Sequence, residues 1–242
     1  MNTERAINGV FFDLGWTLEY HAGEDWLLTP CFLHHAQQSQ FHKIDPVLRK
    51  QAIADAYRPL TTRHKMNDCE EERVRFTEFY TDLNRSLSLG FSQEVIEEIA
   101  WDHTYNFSNY ILFDSTRETL KTLKNHGYRV GVISDTWPST VPQQKEAGLW
   151  DYYDFAVLSC DLGVMKPNPL MYETALEAMK LPPEETIYVD DLVLSLDKAS
   201  EYGIHGVCSI AQNPESPVSS YPCVKEPAEV LTLLKQINGG RL

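Results

Sequence analysis

The chain has 242 residues, 43% of them apolar and 23% charged, with a formal net charge of −14 and a pI near 4.9. This length suits one large domain or a core with a smaller companion, and the ordinary apolar content with mixed charges excludes a disordered chain. The acidity argues against any role resting on phosphate neutralisation along a nucleic acid and against docking on an anionic membrane, while a small anionic substrate stays compatible where a metal or a local cluster reverses the field.

Residues 7–13, INGVFFD, read as a buried strand. From about 20 to 112 the character is helical: DWLLTPCFLHHAQQ, PVLRKQAIADAYRPL, CEEERVRFTEFYTDLNRSL and SQEVIEEIAWDHTYNF predict about four helices with no good strand between them. In the third, Val74, Phe76, Phe79, Tyr80 and Leu83 return at three- and four-residue steps, and Ser92 is a plausible cap for the fourth. Helix and strand then alternate. STRETLKTLKNHG is a helix with Ser115 and Glu118 as a capping box and Gly127 at its end. Strands follow at 128–134 (YRVGVIS), 153–159 (YDFAVLS), 186–190 (TIYVD) and 204–210 (IHGVCSI). Helices lie between them: a short one over 139–148, NPLMYETALEAMK with Asn168 as N-cap and Pro169 at its first position, and LSLDKASEYG. The Pro-rich stretch 211–227 reads as loop and PAEVLTLLKQIN as a closing helix.

Apolar strands alternating with helices imply a parallel sheet covered on both faces. The first strand belongs with the later ones, since one strand cannot bury itself. The expected fold is therefore α/β: a doubly wound, Rossmann-like parallel-sheet core over 1–18 and 113–242, with an inserted helical cap over 19–112. None of the five cysteines forms a C-x-x-C pair and their number is odd, so they read as reduced, mostly packing thiols. No apolar run reaches the ~18 residues needed to span a membrane, and MNTERAINGV lacks the charged and apolar regions of a signal peptide. A cytoplasmic location is expected; monomer and dimer stay open.

In doubly wound sheets ligands bind beyond the carboxyl ends of the strands. The residues leaving the strands are Asp13, then Ser134 and Asp135, then Lys166 in CDLGVMKPNP, then Asp190 and Asp191. Each has a plainer reading: an Asx turn at Asp13, a hydroxyl turn at Ser134, a solvated loop charge at Lys166, helix caps at the acid pair. Together they say more, because three carboxylates at one edge repel one another unless a cation or a lysine sits among them.

The order of these segments resembles the haloacid dehalogenase-like superfamily. FFDLGWTL stands for its first motif, D-x-D-x-[TV]-[LV]; GVISD for the strand ending in Ser or Thr; LGVMKPNPLMYETAL for the lysine, often in G-x-x-K-P; and IYVDDLVLSLDKASEYGI for the strand ending in paired acids. The resemblance implies Asp13 as the nucleophile that forms an aspartyl-phosphate, with Ser134 and Lys166 on the transferring phosphoryl group. It implies Mg²⁺ as cofactor, held by Asp13, the Gly15 carbonyl and Asp191, with Asp190 beside it or bound through water. Trp16, Thr17 and Asp135 fall at substrate-binding positions, although packing against the cap is an equal reading for Trp16. The implied activity is a Mg²⁺-dependent phosphatase acting on a small phosphorylated metabolite, a sugar phosphate among the candidates.

Departures from the pattern surround the same pocket. Gly15 replaces the acid that usually protonates the leaving oxygen; general acid–base help is worth about 10²–10⁴ in rate, and Glu19, His21, Asp135 or a metal-bound water are the candidate substitutes. Trp16 is bulky where Gly or Asn is common, Asp135 stands where Asn is frequent, and Ser195 and Leu196 follow the acid pair where Asn or Asp often appears. The alternative is therefore a catalytically impaired protein that binds phosphate esters. In the cap, Tyr20, His21, Trp26, His34 and His35 are candidates for substrate contact, and Arg63, His64 and Lys65 for a basic spot, against the plainer reading of solvated or packed helix residues. His34 and His35 are adjacent and diverge on a helix, which speaks against a two-histidine metal site.

Overall fold

A computed structural model describes residues 6–39, 41–212 and 220–242. In chain order its elements are β1 (Gly9–Phe12), β2 (Glu19–His21), α1 (Pro30–Gln37), α2 (Pro46–Thr62), α3 (Cys69–Leu87), α4 (Gln93–Tyr105), β3 (Tyr110–Leu112), α5 (Thr116–Asn125), β4 (Arg129–Ser134), α6 (Thr140–Glu146), β5 (Phe155–Leu158), α7 (Ser159–Leu162), α8 (Pro169–Met179), β6 (Thr186–Asp190), α9 (Val193–Glu201), β7 (His205–Ser209), β8 (Cys223–Val224) and α10 (Ala228–Ile237), joined by short 3₁₀ turns. The chain divides into two compact units. One holds the described residues up to Tyr20, Leu112–Thr136 and those from Val141 onward; the other holds His21–Ile111 with Trp137–Thr140.

The first unit is built on a six-stranded sheet in the order β5-β4-β1-β6-β7-β8, every pairing parallel. Its strands are apolar on both faces because both are covered. Val10 and Phe12 of β1 join Val130, Val132, Ile187 and Val189 in a cluster with Leu120 and Leu123 of α5 and Leu234 of α10. Phe11, one residue out of phase, points the other way, with Ile133 and Tyr188, into a cluster with Tyr172 and Met179 of α8 and Leu196 of α9. At Gly131 a Cβ would lie 2.4 Å from the Phe155 ring, so β4 needs glycine where that ring crosses it.

The second unit packs α1–α4 around Phe32, Phe76, Phe79, Tyr80, Leu83 and Ile99. Trp137 belongs to the same core, its ring against Phe76 and His64. Arg63, His64 and Lys65 do not form one basic spot. His64 is buried among apolar groups, which lowers its pKa, whereas Arg63 is exposed and 3.7 Å from Glu78.

Four local expectations change. The helical stretch is bounded by two short strands, β2 and β3, which form a separate two-stranded sheet. DWLLT is not helical: Asp25 Oδ1 accepts from the backbone N–H of Leu27 and Leu28, and the helix begins at Pro30 behind the Thr29 cap. Ser92 and Asn168 cap as read, but Ser115 is in helical conformation and makes no cap bond; its hydroxyl instead accepts from Ala228 N–H at 3.2 Å. Within 211–227, Cys223–Val224 pairs with β7, a bridge too short to leave a periodic signal; 213–219 lie outside the described residues. Among the described residues no helix is long and apolar enough to cross a membrane.

Candidate active site

The carboxyl ends of β1, β4 and β6 lie side by side, so the chain direction shared by the strands delivers their terminal residues to one edge. Lys166 reaches this edge from the loop before α8. Its ammonium is 2.7 Å from Asp190 Oδ2, 3.0 Å from Asp13 Oδ1 and 3.1 Å from the Tyr188 hydroxyl. The loop is pinned at its backbone, where Lys166 N–H donates to Asp135 Oδ1 at 2.9 Å. Ser134, at the end of β4, is buried beside Asp13 and acts to lower that carboxyl's pKa.

The carboxylates differ in what already holds them. Asp190 is fully buried and well satisfied: Oδ2 meets Lys166 and the Tyr188 hydroxyl, and Oδ1 accepts from Leu192 N–H at 2.7 Å. Asp13 is different. Lys166 stands at ion-pair distance but outside hydrogen-bonding angles, and the buried Oδ1 makes no hydrogen bond. Carboxylate oxygens of Asp13, Asp190 and Asp191 all lie within 4.8 Å of one another. Burial raises the pKa of Asp13, Lys166 opposing and Asp190 reinforcing it; burial, then Asp13 and Asp190, raises that of Asp191. Burial alone would lower the pKa of Lys166, but Asp13, Asp190 and Asp135 hold it above its ordinary value. One ammonium thus serves a cluster whose acids outnumber it. An all-oxygen, anionic donor set with an unsatisfied buried oxygen fits a hard divalent cation such as Mg²⁺.

The first-motif residues form a tight turn. Gly15 bridges to Glu19, and Trp16 N–H donates to Glu19 O at 2.7 Å. Trp16 takes φ 52°, a left-handed conformation that costs a non-glycine residue of order 1–2 kcal/mol and so marks a place the surrounding structure enforces. Ser209 at the end of β7 secures it, donating to Trp16 O at 2.6 Å, while the indole stacks on Tyr20. Thr17 is buried with a hydroxyl that makes no hydrogen bond.

Of the substitutes for a position-15 acid, Glu19 is buried, and Oε2 accepts from Gln143 and Gln144 at 2.6 and 2.9 Å. Burial lifts its pKa to about 7 against the effect of those two bonds. Asp135 is engaged with the Lys166 backbone, and His21 Nδ1 lies 2.9 Å from Gly23 O in the helical unit. Tyr188 is the site residue that sequence reading passes over. It precedes Asp190 by two positions and therefore shares its face of β6, a signal hidden because a buried tyrosine in a strand looks like packing alone.

The sequence profile of the haloacid dehalogenase-like hydrolases matches residues 35–193, and the chain belongs to that family of hydrolases. It is 29% identical over 164 residues to the glyceraldehyde 3-phosphate phosphatase of Pyrococcus furiosus, covering 63% of this chain and 68% of that one. Its 28% identity to the bifunctional epoxide hydrolase 2 of Rattus norvegicus covers 34% of this chain and only 16% of that protein's length. A crystal structure of a dehalogenase superposes with a TM-score of 0.67 over 94% of this chain and 96% of that chain at 20% identity, a likeness of fold.

Proposed function

We propose that the chain is a cytoplasmic, Mg²⁺-dependent phosphatase acting on a small phosphorylated metabolite, with Asp13 as nucleophile. The observation that supports this most is the asymmetry among the acids: Asp190 is spent on holding Lys166, whereas Asp13 keeps a buried oxygen without a hydrogen bond. The similarity to a phosphatase of Pyrococcus furiosus supports phosphoryl chemistry.

In this reading an Asp13 oxygen attacks phosphorus as the bond to the leaving oxygen breaks. Water then hydrolyses the aspartyl-phosphate, releasing phosphate and regenerating the carboxylate. Lys166 and Ser134 bind the equatorial phosphoryl oxygens, where charge must be cancelled. Asp13, Asp191 and the Gly15 carbonyl would hold Mg²⁺, with Asp190 alongside; the ion supplies charge neutralisation and alignment of the phosphoryl group. Trp16, Thr17 and Asp135 border the substrate, and Thr17's unpaired hydroxyl is suited to a polar substrate atom. Gly15 offers no proton to the leaving oxygen, so esters of more acidic alcohols are expected to react faster.

The test is a metabolite-phosphate panel with an aryl phosphate, assayed with Mg²⁺ and with chelator. Phosphate release that needs Mg²⁺ and disappears in Asp13→Asn is the expected outcome. Binding by calorimetry without release would instead favour the impaired, ester-binding alternative to which Gly15 points.

A further inference from the structure

The helical unit contains a second gathering of ligand-type side chains, unlike the first in chemistry. Cys31 and His35 stand four residues apart on α1, one above the other on the same face. Glu98 comes from α4, which packs on α1 through Phe32, Ala36, Ile99 and Ala100. The Cys31 sulfur, a His35 ring nitrogen and a Glu98 carboxylate oxygen all lie within 4.8 Å of one another, with His35 Nε2 3.3 Å from Glu98 Oε2. Asp102, one turn after Glu98, adds negative charge near the thiol while its own oxygens accept from Asn106 and Asn109. His34, by contrast, is exposed, its ring edge-on to that of His35 with 5.4 Å between centroids.

We propose that Cys31, His35 and Glu98 form a zinc site that ties α1 to α4. The donors are sulfur, nitrogen and oxygen, a set that suits Zn²⁺, whereas the all-carboxylate cluster suits Mg²⁺. Ligand atoms around a tetrahedral zinc lie about 3.3–3.8 Å apart, given bond lengths of about 2.0–2.3 Å, so small side-chain adjustments bring this trio into range and water takes the fourth position. As the sulfur–zinc bond forms, the S–H bond breaks and its proton passes to solvent. A His–Glu ion pair explains the 3.3 Å contact, but it gives no reason for a half-buried thiol to join both groups. The proposal uses only residues of the helical unit and does not depend on the phosphatase reading.

The experiment uses the full chain, stripped by chelator and returned to buffer with excess Mg²⁺, so that hard-oxygen sites are filled. Titration with Co²⁺ is expected to produce a thiolate-to-metal charge-transfer band saturating at one equivalent, and Zn²⁺ to abolish the band and raise the melting temperature. Cys31→Ser should eliminate both signals, while Cys69→Ser and Cys223→Ser keep them. Glu98 is exposed, so Glu98→Gln tests the site without disturbing α1; losing this ligand should weaken metal binding by at least the roughly 10–100-fold typical of losing an outer-shell partner. Absence of the band in the unmodified chain, its persistence in Cys31→Ser, or unchanged affinity in Glu98→Gln overturns the proposal.

Discussion

In the sheet unit Asp13, Asp190 and Asp191 crowd one ammonium, and a buried Asp13 oxygen makes no hydrogen bond. In the helical unit Glu72 is as deeply buried, yet no lysine or arginine is recorded against its carboxylate among the described residues. Instead Ser139 donates to it twice, from the backbone N–H and from the hydroxyl, both at 2.7 Å. Burial pushes Glu72 up to about 8, so it is largely protonated near neutral pH, the two bonds only partly opposing the shift. One arrangement holds its buried carboxyl with hydrogen bonds alone; the other gathers carboxyls whose pKa values are likewise raised around Lys166 and leaves an Asp13 oxygen without a hydrogen bond. A carboxyl satisfied by its own fold secures a segment, here Trp137–Thr140, whereas an under-satisfied one beside an ammonium has capacity for a ligand.

This contrast can be broken experimentally. Asp13→Asn is expected to cost the largest factor, on the order of 10⁴-fold or more in turnover, the scale of losing a nucleophile, with circular dichroism unchanged. A turnover loss below tenfold would end the special status of Asp13. Lys166→Met leaves two close, buried carboxylates without their cation and should destabilise the chain by about 3–5 kcal/mol in denaturant unfolding. An unaltered midpoint would mean the acids carry little charge.

Glu72→Gln tests the hydrogen-bonded half of the contrast through pH. The folded pKa, about 8, lies above the ordinary 4.5. Below the ordinary value both states are protonated and the group is neutral to stability. Above it the unfolded chain ionises first, so stability falls as pH rises through about 4.5 to 8, by at most about 1.4 kcal/mol per pH unit. The Gln variant should flatten that decline relative to the parent chain, and because Glu19 contributes similarly in both proteins, the difference isolates position 72. Parallel curves would show that Glu72 is ionised in the fold. Smallest of the set, Ser139→Ala removes one of the two donors to Glu72 and should cost about 1–3 kcal/mol, with Trp137 fluorescence reporting on the loosened segment.

Much of the sheet unit was legible because its signals are local. A strand announces itself by a short apolar run between turns, and Asn168 acts on a backbone N–H two residues away. The acids were readable as strand-end residues, since parallel strands place their ends together, and the lysine as a charge in the loop that follows β5. Ser115 shows where local reading fails: the capping pattern is present, but Ala228, 113 positions on, takes its hydroxyl.

By itself, then, the sequence determined the alternation of apolar strands and helices, hence a parallel sheet with both faces covered, and which side chains leave its strands. Tertiary structure alone decided that Tyr188 meets Lys166, that Ser139 answers Glu72 across 67 positions, that Trp137 joins the helical core, and that Cys31 and His35 meet Glu98. The reason is physical: each of these depends on two segments brought together by burial of apolar surface elsewhere, and the partners carry no periodicity or spacing that would reveal the meeting before the chain has folded.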